Sequence, residues 1–318
     1  MLLALPVFFS CGKKSAAPRP NISGKAGEII VVISKAQWES DLGGAIREVL
    51  SAEYEYLPQK EPLFNIANVP EASVNKLIKV HRNMMYVKVE AGAKTGMEVR
   101  NNVWAQPQTM VIITAPDDEA AAACIREKSE AIVAAFEKAE RDRSIANAKL
   151  YEEKSLRDLV EGKYSGSPYF PNGYSLKKQT PDFLWISYET SYTIQGIFIW
   201  SYPYEGPQQL TPEALIAKRN AITKENVPAT MEGSYMITNP SITPGCKTVS
   251  YNSIERIELR SLWDTQNDFM GGPFISHTFL SKEGDRIITV EGFIYAPKYN
   301  KRNYLRQIES IVCSFEWK

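Results

Sequence analysis

Apolar and polar positions change period several times between residues 24 and 160. Gly27-Glu28-Ile29-Ile30-Val31-Val32-Ile33-Ser34 is a β-branched run bounded by turn formers, which predicts a buried strand. Trp38, Leu42, Ile46, Val49 and Leu50 follow at three- and four-residue steps, the period of an amphipathic helix. Gly43-Gly44 weakens that helix by about 1 kcal/mol per glycine; the pair marks a close backbone approach or a ligand contact. Two prolines in Leu57-Pro58-Gln59-Lys60-Glu61-Pro62-Leu63-Phe64-Asn65-Ile66 forbid a continuous helix, and Phe64 and Ile66 begin an alternating strand. Met84 to Val89 and Thr109 to Thr114 predict further strands, the second entered through Val103-Trp104-Ala105-Gln106-Pro107-Gln108. Pro116-Asp117-Asp118-Glu119 starts a helix, because acids favour the positive end of the macrodipole. Ile125, Ile132, Val133 and Phe136 form its buried stripe, and Glu137 to Arg143 reads as a solvated, salt-bridged face. The helix extends to Tyr151, with Leu156, Leu159 and Val160 on a second one. Strand, helix, several strands and a closing helix make an α+β sandwich.

Residues 162 to 173 hold the chain's densest cluster of glycine, proline and serine, which places a boundary there. Beyond it, Phe183 to Tyr188 and Thr193 to Tyr204 alternate as strands, and Thr211-Pro212-Glu213 opens a helix with a threonine cap. Strands are then expected over 235–238, 247–252, 254–264, 273–281 and 285–296, with Lys282-Glu283-Gly284-Asp285 as a hairpin turn. Arg256, Glu258 and Arg260 alternate with Ile257, Leu259 and Ser261, the pattern of an antiparallel sheet with one wet face. An amphipathic helix carrying Tyr304, Leu305, Ile308, Ile311 and Val312 closes the chain before Phe315-Glu316-Trp317. The fold expected is α+β: two α/β sandwich domains, mostly antiparallel, over residues 24–162 and 163–318.

The N-terminus departs from this pattern. Residues 2 to 10 are continuously apolar or small, too short for the roughly 20 residues of a membrane-spanning helix but long enough for a secretory h-region. Phe8-Phe9-Ser10-Cys11 resembles the lipobox of bacterial lipoproteins, which implies that Cys11 takes a thioether-linked diacylglycerol as the first mature residue. Phe8 stands where an aliphatic residue is usual, and the missing basic n-region implies a start a few residues upstream. Residues 1–10 are therefore read as a signal peptide and 11–23 as a flexible tether carrying two prolines. The tether begins basic rather than acidic, which favours an outer-membrane lipoprotein facing the periplasm.

Lysine plus arginine equals aspartate plus glutamate at 37 each, which demotes nucleic-acid binding by phosphate neutralisation. Cys124, Cys246 and Cys313 remain after Cys11, and their spacing encodes no disulfide framework. The two histidines offer no ligand-spaced cluster, so neither a metal nor another cofactor is expected. His81 reads as a surface residue and His277, between Ile275 and Phe279, as a core or cross-strand one. Gly-x-Ser-x-Gly, the Walker loop and Gly-x-Gly-x-x-Gly are all absent. Paired-carboxylate hydrolysis needs only two acids at the right separation, and Glu61, Glu258, Asp264, Asp268 and Glu291 lie among aromatic residues. Arginines 256 and 260 are near enough to make several of them salt-bridge partners instead. Aromatic residues provide the other signal, Tyr164, Tyr169, Phe170 and Tyr174 and then Trp200, Tyr202 and Tyr204: Tyr202 and Tyr204 leave a strand through proline, and with Trp104 and Glu61 they are the expected binding surface.

Trp38 with its strand and helix, the Leu57-to-Phe64 segment, Trp104-Ala105-Gln106-Pro107-Gln108, Phe183-Leu184-Trp185 and Gln195-Gly196-Ile197-Phe198-Ile199-Trp200-Ser201-Tyr202-Pro203 together resemble a Bacteroidetes lipoprotein family of unknown function, domain-of-unknown-function 4837. The resemblance spans nearly the whole mature chain and implies no known reaction. More faintly, Phe170-Pro171-Asn172-Gly173-Tyr174, the meander after it and the final helix are similar to the Mog1/PsbP-like sandwich, an analogy of fold only. The function expected is that of a membrane-anchored, non-enzymatic binding or assembly protein of the envelope. Its partners would be the lipid anchor and another envelope protein, and a periplasmic hydrolase using paired carboxylates is the alternative.

Overall fold

The computed structural model describes residues 19–318, so Cys11 and the apolar run before it lie outside the described residues. The first half begins with strand β1 (Glu28–Val32), helices α1 (Lys35–Trp38) and α2 (Asp41–Leu50), strand β2 (Asn65–Val69) and helix α3 (Lys76–Lys79). Strands β3 (Asn83–Val89), β4 (Gly96–Asn101) and β5 (Thr109–Ala115) follow, then helices α4 (Asp118–Glu127) and α5 (Ser129–Leu150). The helix expected around Trp38 is two: Ser34 closes a capping box on α1 and Ser40 caps α2. Gly43 is required at their corner, since a Cβ there would sit 2.0 Å from the Trp38 carbonyl oxygen. The long helix expected after Pro116 likewise breaks between α4 and α5, at Lys128.

The five strands lie in the order β2-β1-β3-β5-β4, with every pair parallel except β4 against β5. Parallel strands covered on both faces read as unbroken apolar runs, which is how Met84 to Val87 and Met110 to Ile113 read. One face packs Val31, Met85 and Val111 under α2, α4 and α5. The other buries Val32, Met84, Tyr86 and Met110, with Trp104 and Ile78 packed over them.

The second half begins with α6 (Lys154–Tyr164), β6 (Gly166–Ser167), β7 (Ser175–Gln179), β8 (Phe183–Glu189), β9 (Ile194–Pro203) and α7 (Pro212–Asn226). It continues with β10 (Tyr235–Thr238), β11 (Gly245–Tyr251), β12 (Ile254–Gln266), β13 (Gly271–Leu280), β14 (Arg286–Tyr295), α8 (Arg302–Cys313) and β15 (Glu316–Trp317). Seven strands run β10-β12-β13-β14-β9-β8-β7, β11 pairs with β12 as well, and all pairings are antiparallel. Antiparallel pairs thus predominate over the molecule, a mixed α+β fold. Helix α6 supplies Leu156, Val160 and Tyr164 to the core of this sheet, so the change of core precedes that helix rather than following it.

Helices cover both faces of the larger sheet. Ile308, Ile311 and Val312 of α8 pack on Ile275, Val290 and Ile294, and Gly292 lets the helix settle, because a Cβ there would meet Ile308 Cγ2 at 1.8 Å. On the opposite face Leu215 of α7 joins Trp200, Trp263, Phe274 and Phe293. The polar alternation of β12 is therefore not a wet face. Arg256 and Glu258 are each 1% exposed, because α8 and the chain end close over them. Helices α5 and α8 pack against each other and form the seam between the halves.

Candidate functional site

The acids singled out in the sequence are committed to cations or backbone donors. Glu258 on β12 bonds His277 Nε2 at 3.1 Å and Arg260 Nε at 2.7 Å, and Arg260 reaches on to Glu309 of α8 at 2.8 Å. Burial works to raise the Glu258 pKa, but the His277 hydrogen bond and Arg260 prevail and hold it far below the usual range. Burial dominates at His277 and keeps its pKa low against the pull of Glu258. The ring is wholly buried and stacks on Tyr251 with centroids 5.4 Å apart, the core role expected of it. Arg256 completes the layer by donating to the Val312, Phe315 and Tyr251 carbonyls, which ties the end of α8 to β12. The nearest thiol, Cys313, is pushed up to about 12 by burial, so it supplies no nucleophile at neutral pH.

Glu291 lies in a different part of the sheet, where Arg219 of α7 grips it with two bonds of 2.8 Å while stacking on Phe274. Asp268 accepts from the Thr230 and Met231 amides, and Asp264 from the Thr265 amide. Among the described residues no group of three or more His, Cys, Asp and Glu side chains gathers to hold a metal ion.

The four residues expected to share a binding surface do not meet. Glu61 is 5% exposed and accepts from the Lys301 and Arg302 amides, acting as the acidic cap of α8. Tyr202 is buried because β9 is an inner strand and α7 covers its end, with Lys218 Nζ 4.5 Å from the ring. Tyr204 is half-buried against the same cluster. Trp104 lies over the first sheet, edge-on to Tyr86 at 5.7 Å. His81 is not a surface residue: it is 8% exposed, beneath Gly24, with Nδ1 3.0 Å from the Asn83 carbonyl. The three remaining cysteines are free, Cys124 and Cys313 buried and Cys246 exposed.

A polar concavity lies along the seam. A cleft of about 510 Å³ runs between α5, α8 and the β8–β9 end of the larger sheet, lined by Arg82, Arg143, Asn147, Tyr174, Tyr188 and Gln195 among others. That volume is within the range of small-molecule sites. Arg82 and Arg143 share one carboxylate, Glu140, at 2.9 and 3.1 Å. Asn83 and the Gly27 amide also donate to Glu140, which fixes it in place. Two guanidiniums against one carboxylate leave a surplus positive charge, and burial followed by repulsion from Arg82 works against the charge on Arg143 while Glu140 supports it. The Nε atoms of both arginines are buried without an acceptor among the described residues. At the other end Tyr174 and Tyr188 form a tilted pair 5.9 Å apart, and Tyr174 donates to Gln195. Tyr174 belonged to the aromatic signal in the sequence. Arg143 was hidden because its helix face reads as solvated, although the Pro107 and Arg82 carbonyls, on segments that lead into strands of the first sheet, accept from it.

Fold and cleft together define a mixed α+β protein of two large sheets with a cation-rich cleft along the seam between the halves. The chain belongs to the family described as "Domain of unknown function (DUF4837)", which matches residues 153–314. A second family, "Domain of unknown function (DUF8532)", matches residues 22–149. No curated protein matches. Among solved structures, the chain is similar to a crystal structure from Bacteroides thetaiotaomicron VPI-5482 at 7% identity and a TM-score of 0.27, covering 48% of this chain and 45% of that one. It is also similar to the human StarD13 (DLC2) lipid transfer and protein localization domain at 11% identity and a TM-score of 0.23, covering 51% of this chain and 95% of that one. The chain thus spans less than half of the Bacteroides chain that it matches.

Proposed function

We propose that this protein is an envelope lipoprotein, tethered through Cys11 to the outer membrane on its periplasmic side, that binds a ligand in the seam cleft without transforming it. The observation that carries the binding role is the surplus charge of Arg82 and Arg143 over Glu140 in a cleft whose other wall is tyrosine and amide. Such a wall suits a small polar anion, a carboxylated or phosphorylated sugar or peptide, with the charge at the arginines and the body against Tyr174 and Tyr188. The apolar run before Cys11 supports the anchor, and among the described residues no helix is long and apolar enough to span a bilayer. A hydrolase using paired carboxylates would need two acids free of cations. Glu258 and Glu291 are each held by arginine, and Glu61 is spent on the cap of α8.

Two measurements test the reading. Cys11→Ala should abolish lipid labelling and release the protein from membranes; a labelled, membrane-bound variant would refute the anchor. Thermal-shift titration against carboxylated and phosphorylated sugars and peptides should find saturable stabilisation that Arg82→Gln removes. Turnover of any of them by the purified chain would refute the non-enzymatic role.

A further inference from the structure

The larger sheet carries a second cavity on the α7 side, remote in chemistry from the seam. About 290 Å³ is enclosed by Trp185, Ile194, Met236, Trp263, Phe293 and Tyr295, roofed by the segments around Ala229 and Met270. No charged side chain lines it. Thr265 Oγ1 is already engaged, both donating to the Met270 carbonyl and accepting from the Met270 amide, and Thr230 Oγ1 lies 3.7 Å from Met270 Sδ. The Trp263 indole donates to the Ile294 carbonyl. The buried Trp185 indole N–H, in contrast, has no acceptor among the described residues.

The rim continues the same chemistry outward. Asp268 accepts from the Thr230 and Met231 amides and so clips together the two loops that roof the cavity. Beside that clip Phe269 is 101% exposed and Met231 54% exposed, forming a solvent-facing apolar lip next to the cavity-lining Met270 and Thr230. An exposed lip continuous with an uncharged aromatic cavity is matched by hydrocarbon entering from a membrane. The acidic side chains Asp268 and Glu232 at the lip set a limit on the headgroup, since an anionic one would be repelled.

We infer that this cavity takes one acyl chain of a neutral or zwitterionic lipid, with Phe269 and Met231 as its membrane-facing lip. The ester carbonyl of such a lipid is the acceptor that Trp185 lacks. This site depends on neither Cys11 nor the seam cleft.

Trp185 and Trp263 are two of the six tryptophans, which makes the site directly observable. The full chain carrying Cys11→Ala is titrated with lysophosphatidylcholine brominated at mid-chain, below its micellar concentration. Saturable quenching of about a third of the tryptophan emission is expected, with unbrominated lipid as the control. Trp185→Phe should cut that quenching roughly in half. Ala229→Phe, which fills the cavity and leaves both indoles in place, should abolish it. Phe269→Ser, a change confined to an exposed loop, should weaken apparent affinity at least several-fold without altering the far-ultraviolet spectrum. Absence of saturable quenching, or quenching that both Ala229→Phe and Phe269→Ser leave unchanged, would overturn the assignment.

Discussion

Replacing Glu291 by glutamine removes a charge from the middle of the larger sheet while keeping the side chain's shape. Glu291 is wholly buried and Arg219 is 2% exposed, and two bonds of 2.8 Å join them. Deleting one member of such a pair leaves an uncompensated buried charge, at a cost of about 3–5 kcal/mol. Arg219→Met should cost a similar amount, and it also takes a donor away from Thr238 Oγ1, 3.1 Å from Nη1. Replacing both at once, Arg219→Met with Glu291→Leu, removes both charges and leaves chiefly the Thr238 hydroxyl to be resolvated, roughly 1–3 kcal/mol. The double variant should therefore be more stable than either single one. Urea unfolding followed by tryptophan fluorescence reads the difference, since Trp200 and Trp263 lie in the same core, and comparison requires an unchanged m-value. A loss below about 1 kcal/mol for Glu291→Gln, or strictly additive single effects, would refute a structural role for this acid and reopen a chemical one.

Three further outcomes follow from the same geometry. Burial depresses the His277 pKa, so the unfolded chain takes up a proton first and stability should fall as pH drops below about 6.5, by up to about 1.4 kcal/mol per unit, until the folded group titrates. His277→Asn should flatten that slope in pH-dependent unfolding, and an unchanged slope would contradict the assignment. Glu61→Ala removes the cap of α8 and should lower stability by about 1–2 kcal/mol in thermal denaturation. In the Cys11→Ala protein a disulfide-exchange reagent should label Cys246 rapidly, with Cys124 and Cys313 reacting only on unfolding; a fast-reacting Cys313 would mean that α8 does not hold its place.

Much of the architecture was legible because each inner strand is covered by its own apolar pattern. Tyr235–Thr238 and the inner strands β8, β9, β13 and β14 appear within a residue or two of where alternation puts them. Edge strands β4 and β7 escaped notice because most of their residues are exposed and follow no period. The charged alternation of β12 misled for a different reason. Period two says that two faces differ, but which face is dry depends on what lands on it, and α8 arrives from about 50 residues later in the chain. Glu61 was similarly opaque, with acceptor and donors separated by 240 residues. Of the seam cleft only Tyr174 and its aromatic neighbours could be seen, since Arg82, Glu140 and Arg143 acquire their meaning from one another.

The buried charges and the cleft are connected through α8. One side of that helix is fixed by Glu61 at its start, by Arg260 on Glu309 in its last turns and by Arg256 on its final carbonyls. Two more pairs, Arg306 with Glu137 and Arg141 with Glu309, fasten it to α5. Another side presents Gln307, Ser310 and Ile311 to the cleft. A helix held by charged bonds on several sides has little freedom to slide, because any one-turn shift would strand several buried ions at once. The ionic layer therefore acts on ligand binding by fixing the cleft wall rather than by touching the ligand. Arg82 and Arg143 stand apart from that layer: the carboxylate they bond is the one they share, Glu140, and theirs is the charge left over for something else to meet.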